Sequence, residues 1–108
     1  MEIQLKKGIL DIVVLSTLVG NDSYGYKIIQ DVSGIIEISE STLYPILRRL
    51  EVASLLRTYS MEYNGRLRKY YKINKEGMER IDEFINEWGD VKNIYEFIVS
   101  NIKNKGDK

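Results

Sequence analysis

The chain has 108 residues, no cysteine and no histidine, so it holds one small core and lacks the residues of disulfides, thiolate metal sites and the commonest general base. Sixteen basic and sixteen acidic side chains cancel, which excludes a uniformly basic nucleic-acid binder. The charge is nevertheless segregated. Residues 39–74 carry seven basic against three acidic side chains, and residues 75–108 six against eight, a division that predicts one anion-binding face.

In chain order, an apolar stretch over residues 9–19 follows Lys6 and Lys7 in the manner of a targeting signal. It is too short to span a bilayer, contains Asp11, and leads into Gly20-Asn21-Asp22 rather than a small-residue cleavage site. A buried first helix in a cytoplasmic protein, with no membrane partner, is the expectation. Ile9, Leu10, Ile12, Val13, Val14, Leu15 and Leu18 surround most of that helix, so it is covered on more than one side. Asp22 or Ser23 is placed to cap a second helix that ends near Val32, at Ser33-Gly34.

Ser39 or Ser41 caps a third helix. At 100° per residue it sets Leu43, Ile46, Leu47, Leu50 and Ser54 on one side. Ser41, Tyr44, Pro45, Arg48 and Val52 fall on the other, with Arg49 beside them, so the outward face is basic and aromatic. Pro45 lies several residues after either cap and should kink the first turns or delay the regular helix. Two strands over residues 55–63 and 66–73 follow, joined by Asn64-Gly65, a pair that tolerates the positive φ angles of a tight hairpin. Its second strand alternates Leu67, Lys69, Tyr71 and Ile73 with Arg66, Arg68, Tyr70 and Lys72, a short ribbon with a basic, solvated tip.

Asn74 caps a last helix running to about residue 104. Met78, Ile81, Ile85, Trp88, Val91, Tyr95, Ile98 and Ile102 recur along it three or four residues apart. Phe84, Ile94, Phe97 and Val99 widen the stripe. The body before it is too small to cover both ends of such a helix, which predicts a symmetric homodimer. Ile81, Ile85, Trp88, Val91, Tyr95, Ile98 and Ile102 would form the interface and set two recognition helices on a palindromic site. The fold class is mainly α with a small β-hairpin: a winged helix-turn-helix DNA-binding domain over residues 1–74 and a long C-terminal dimerisation helix over residues 75–108.

Three strings make a family resemblance specific: Tyr24-Gly25-Tyr26-Lys27-Ile28, Ser41-Thr42-Leu43-Tyr44-Pro45-Ile46-Leu47-Arg48-Arg49-Leu50-Glu51, and Gly65-Arg66-Leu67-Arg68-Lys69-Tyr70-Tyr71-Lys72-Ile73. In this order and spacing they resemble the PadR family of bacterial transcriptional regulators over nearly the whole chain. The single C-terminal helix resembles the short, multidrug-responsive branch of that family. The resemblance implies a repressor that binds double-stranded DNA. Ser54 stands where the family usually has glycine, and Leu67 where it often has proline.

The residues expected at DNA are Ser41, Thr42, Tyr44, Pro45, Arg48 and Arg49 on the third helix, and Asn64, Gly65, Arg66, Arg68 and Lys69 on the hairpin. An arginine on a helix in the major groove can take guanine O6 and N7 together, while the hairpin cations suit phosphate or a minor groove. Tyr24, Tyr26, Tyr70 and Tyr71 are read as packing residues. The resemblance also implies that Trp88, the only tryptophan, lines a site for a small flat aromatic effector at the dimer axis, where Gly89 would permit close approach. No acidic loop of the calcium-binding kind and no acid–base pair is recognisable, so no metal, no cofactor and no enzyme is expected. The rival reading is a winged-helix module that docks protein through the same outer helix.

Overall fold

A computed structural model describes the backbone of residues 3–106 and the side chains of residues 8–105, so those of Lys6 and Lys7 lie outside it. The element order is α1 Ile3–Ser16, α2 Gly25–Val32, α3 Glu40–Val52, β1 Leu56–Tyr63, β2 Arg66–Ile73 and α4 Lys75–Gly106. This is the winged helix-turn-helix with a long last helix that the apolar periodicities predict.

The core is assembled from the helical faces. Leu10, Val14, Leu15 and Leu18 come from the α1 side, Ile28 and Val32 from α2, and Leu43, Ile46, Leu47 and Leu50 from α3. Leu56 and Tyr71 of the hairpin and Ile81 of α4 close it. Ile81 departs from its expected place on the dimer stripe. It is 8% exposed within its own subunit, because the first two turns of α4 pack on the body before the helix runs clear.

The ends of the helices show where tertiary partners override local propensity. Asp22 and Ser23 do not cap α2: its N-cap is Tyr24, without a side-chain bond. The Asp22 carboxylate accepts a 2.6 Å hydrogen bond from the Tyr59 hydroxyl, and Ser23 pairs its backbone with Tyr71 on β2. Ser39 occupies the N-cap of α3, but its hydroxyl pairs with that of Ser41 at 2.8 Å instead of with a helix amide. Pro45 lies inside α3, which continues through it and leaves the Ser41 carbonyl without its amide donor four residues on.

Ser54 is not on the buried side of α3, because the helix stops at Val52. Its φ is 63°, the left-handed region. The Ser54 amide donates to the Glu51 carbonyl and the Leu55 amide to that of Leu50, the paired bonds of a Schellman stop. Serine there costs about 1 kcal/mol relative to glycine, since its Cβ crowds the backbone.

The hairpin pairs Leu56 with Ile73 through Tyr63 with Arg66. Asn64 and Gly65 between them have φ angles of 52° and 79°, as a tight turn with two left-handed residues requires. One face of the ribbon turns Leu56 and Tyr71 into the core and Thr58 toward Glu51 of α3. The other carries Tyr59, Tyr63, Arg68, Tyr70 and Lys72, and meets residues 22–24.

Asn74 offers its carbonyl to the Met78 amide at the start of α4. Its side chain turns back, donating to the Ser54 carbonyl at 3.0 Å and accepting from Arg57. Gly77 makes this junction close. A Cβ there would fall on the Leu55 carbonyl oxygen and 2.6 Å from Ile73 Cγ1. Among the described residues no helix is long and apolar enough to cross a membrane.

Candidate nucleic-acid interface

The four buried residues of α3 fix its rotation, so Ser41, Thr42, Tyr44, Pro45, Arg48 and Arg49 all stand on the exposed side. They do not stand equally. The Tyr44 hydroxyl rests on Gly25 at the start of α2, where a Cβ would collide with it. The ring is 40% exposed and lines a cleft with Arg48, Glu51, Lys69 and Tyr71. Arg48 and Lys69 thus face one cleft from the helix and from the hairpin. Glu51 in the same cleft accepts a hydrogen bond from the Thr58 hydroxyl at 3.3 Å.

Arg49 is held from behind. Its Nη2 and Nε donate to the two carboxylate oxygens of Asp11 on α1, at 2.6 Å and 3.2 Å. That hydrogen bond raises the arginine above its ordinary pKa. Arg68 is held too: its guanidinium carbon lies 3.9 Å from the Tyr24 ring centroid and 3.7 Å from that of Tyr63. Arg48, Arg66 and Lys69 make no salt bridge among the described residues, and Asn64 and Gly65 form the exposed tip between the strands.

The tyrosines do more than fill space at the hairpin root. Tyr59 and Tyr70 stack with centroids 5.5 Å apart and planes 10° from parallel, and Tyr24 meets Tyr70 edge-on at 5.6 Å. The hydrogen bond to Asp22 raises the Tyr59 phenol above its ordinary pKa, as burial raises that of Tyr71. The sequence marks Asp11 only as a charge within the apolar stretch and Asp22 only as a candidate cap, neither as a partner of Arg49 or Tyr59. The signal for this cluster was Tyr24 and Tyr70 in the family strings, while Tyr59 lies outside them.

Beyond Ile81 the apolar stripe of α4 is largely uncovered by the described residues. Ile85, Val91, Tyr95, Ile98 and Ile102 are between 49% and 66% exposed. Trp88 is 37% exposed, its indole packed on Phe84 one turn earlier at 5.7 Å. A Cβ at Gly89 would meet nothing within 4 Å. No group of three or more potential metal-ligating side chains occurs among the described residues.

A three-helix body that turns a basic, aromatic helix face and a two-stranded wing to the same side is the architecture of a winged helix-turn-helix DNA-binding protein. Residues 14–83 match the family model described as the transcriptional regulator PadR-like family. An uncharacterized protein of Lysinibacillus sphaericus is 32% identical over 102 residues, 90% of this chain and 94% of its own length. A solved transcriptional regulator from Clostridium thermocellum superposes with a TM-score of 0.78 at 30% identity, covering 92% of this chain and 98% of that one. Bacillus subtilis PadR, solved in complex with operator DNA, shares the fold with a TM-score of 0.67 at 17% identity, over 71% of this chain and 46% of its own. The chain belongs to the PadR-like family of transcriptional regulators. It is a DNA-binding regulator and not an enzyme.

Proposed function

We propose that the chain is a cytoplasmic repressor that binds a palindromic operator as a homodimer and leaves it when a flat aromatic ligand occupies the dimer axis. Residues 1–74 form the DNA-binding unit and residues 75–108 the dimerisation helix. The observation that carries the reading is the cleft shared by Arg48 of α3 and Lys69 of the wing, which sets a base-reading cation beside a phosphate-binding one.

In this assignment α3 enters the major groove with Ser41, Thr42, Tyr44, Pro45 and Arg48 toward the bases and nearest phosphates. Asn64, Gly65, Arg66 and Lys69 bring the wing tip onto the backbone. The operator complex of the Bacillus subtilis relative supports this use of the fold. The exposed stripe from Ile85 to Ile102 supports a dimer closed through α4, with Trp88 near the middle of the helix.

The test is a footprint on the DNA upstream of the chain's own coding region, repeated from low to moderate salt. A specific site should appear as two half-sites, with the logarithm of affinity falling linearly in the logarithm of salt concentration. Absence of any salt-dependent affinity, specific or nonspecific, would overturn the assignment.

A further inference from the structure

We infer that Arg68 is a positioning residue of the wing and not one of its phosphate ligands. The inference rests on the DNA-binding reading above for its functional half and on the free protein for its structural half. Arg68 lies on β2 next to the hairpin tip, yet its guanidinium carbon lies over two tyrosine rings, 3.9 Å from the centroid of Tyr24 and 3.7 Å from that of Tyr63. Tyr63 is the last residue of β1, and Tyr24 is the N-cap of α2, so these contacts tie the wing tip to the start of the first helix of the helix-turn-helix.

The tie continues along the same face of the ribbon. One Arg68 nitrogen points to the Tyr70 hydroxyl at 3.4 Å, a marginal bond. Tyr70 stacks on Tyr59, whose hydroxyl donates to Asp22 at 2.6 Å, and Lys72 reaches the other oxygen of Asp22 at 3.8 Å. A two-stranded ribbon is floppy alone, and the inner face of this one packs on the core at its root, through Leu56, Tyr71 and Ile73, with Thr58 bonded to Glu51. The outer cluster runs further toward the tip and fixes the angle at which Arg66 and Lys69 are presented.

A flat guanidinium packs over two rings in a way a compact ammonium does not, so the position needs arginine as a shape as well as a charge. That separates the roles. A phosphate ligand would be replaced by lysine with little loss, because the charge survives. A positioning arginine would not.

The experiment compares Arg68→Lys, Arg68→Ala, Tyr63→Leu and Tyr63→Phe with the full-length wild type, in operator binding across a salt series and in amide hydrogen exchange of the wing without DNA. Arg68→Lys should bind about tenfold more weakly, as Arg68→Ala does, and Tyr63→Leu should follow in the same direction. Tyr63→Phe keeps the ring and should stay within about twofold of wild type. Amides of residues 63–68 should exchange faster in Arg68→Lys, with the rest of the fold unchanged.

Wild-type affinity and salt slope in Arg68→Lys, with a slope reduced by about one in Arg68→Ala, would make Arg68 a phosphate ligand and overturn the inference. If the wild type binds no DNA, the functional reading fails by itself. The exchange measurement still decides: faster wing exchange in Arg68→Lys upholds the positioning role, and equal rates refute it.

Discussion

Ile98 is the residue at which the dimer proposal is most exposed to refutation. It is 51% exposed in the single subunit. Burying a whole isoleucine is worth about 1.5–3 kcal/mol, so covering the remaining half contributes about 1 kcal/mol. A two-fold interface uses the residue twice, which makes Ile98→Ala about 2 kcal/mol, or roughly thirtyfold, worse in dimerisation. Ile98→Asp adds the cost of placing two unpaired carboxylates in an apolar seam, several kcal/mol more, and should yield folded monomer at micromolar concentration. Sedimentation equilibrium with circular dichroism reads both quantities. Ile81→Asp is the control, since Ile81 belongs to the subunit core and its substitution should unfold the chain instead of dissociating it. A folded, undiminished Ile98→Asp dimer would show that the interface lies elsewhere.

Arg48→Ala should cost about 1–3 kcal/mol in operator binding and relax specificity at one base pair, whereas Lys69→Ala should weaken all sequences alike and lower the salt slope by about one; equal, sequence-blind losses would refute the division of roles. Asp11→Asn tests whether Arg49 acts through α1: the exposed ion pair is worth at most about 1 kcal/mol, so Asp11→Asn and Arg49→Ala should each weaken DNA binding slightly and equally. Stronger binding by Asp11→Asn would instead mark Arg49 as a phosphate ligand that Asp11 restrains. Gly25→Ala would drive a methyl into the Tyr44 hydroxyl and should destabilise the fold by about 1–3 kcal/mol, with Tyr44→Phe recovering part of the loss in a denaturation cycle; simple additivity would refute the contact. Planar cationic dyes should quench the single indole of Trp88 and release operator DNA, effects lost in a still-dimeric Trp88→Ala; no quenching at micromolar dye would leave Trp88 as packing alone.

The helices and hairpin were legible because their signals are local. Leu43, Ile46, Leu47 and Leu50 recur at helical spacing, and Asn64-Gly65 meets a backbone demand that few pairs satisfy. What was not legible depends on partners distant in sequence. A helical wheel gives the direction of Arg49 but not Asp11, 38 residues earlier, waiting on the neighbouring helix. The alternation of β2 gives the face of Arg68 but not the two rings that close on it. Ile81 and Ile98 lie on one continuous stripe, and periodicity does not mark where the body ends beneath it. Ser54 was misplaced because the apolar repeat continues past Val52, whereas the helix stops where the chain turns left-handed.

The junction at Ser54 also bears on how a signal could pass between the two ends of the molecule. Ser54, whose left-handed turn stops α3, is the residue whose carbonyl receives the Asn74 side chain at the start of α4. Two residues into α4, Gly77 presses its backbone against the Leu55 carbonyl, and Ile81 one turn on is part of the core. The start of α4 is therefore fixed to the end of α3 by a hydrogen bond, a close backbone approach and an apolar anchor, none of which tolerates sliding. In a dimer closed through the distal half of α4, the crossing of the two α4 helices then sets the separation of the two recognition helices. An operator fixes that separation in steps of the DNA helical turn, so a ligand at Trp88 that changes the crossing can weaken DNA binding without touching the wing or α3.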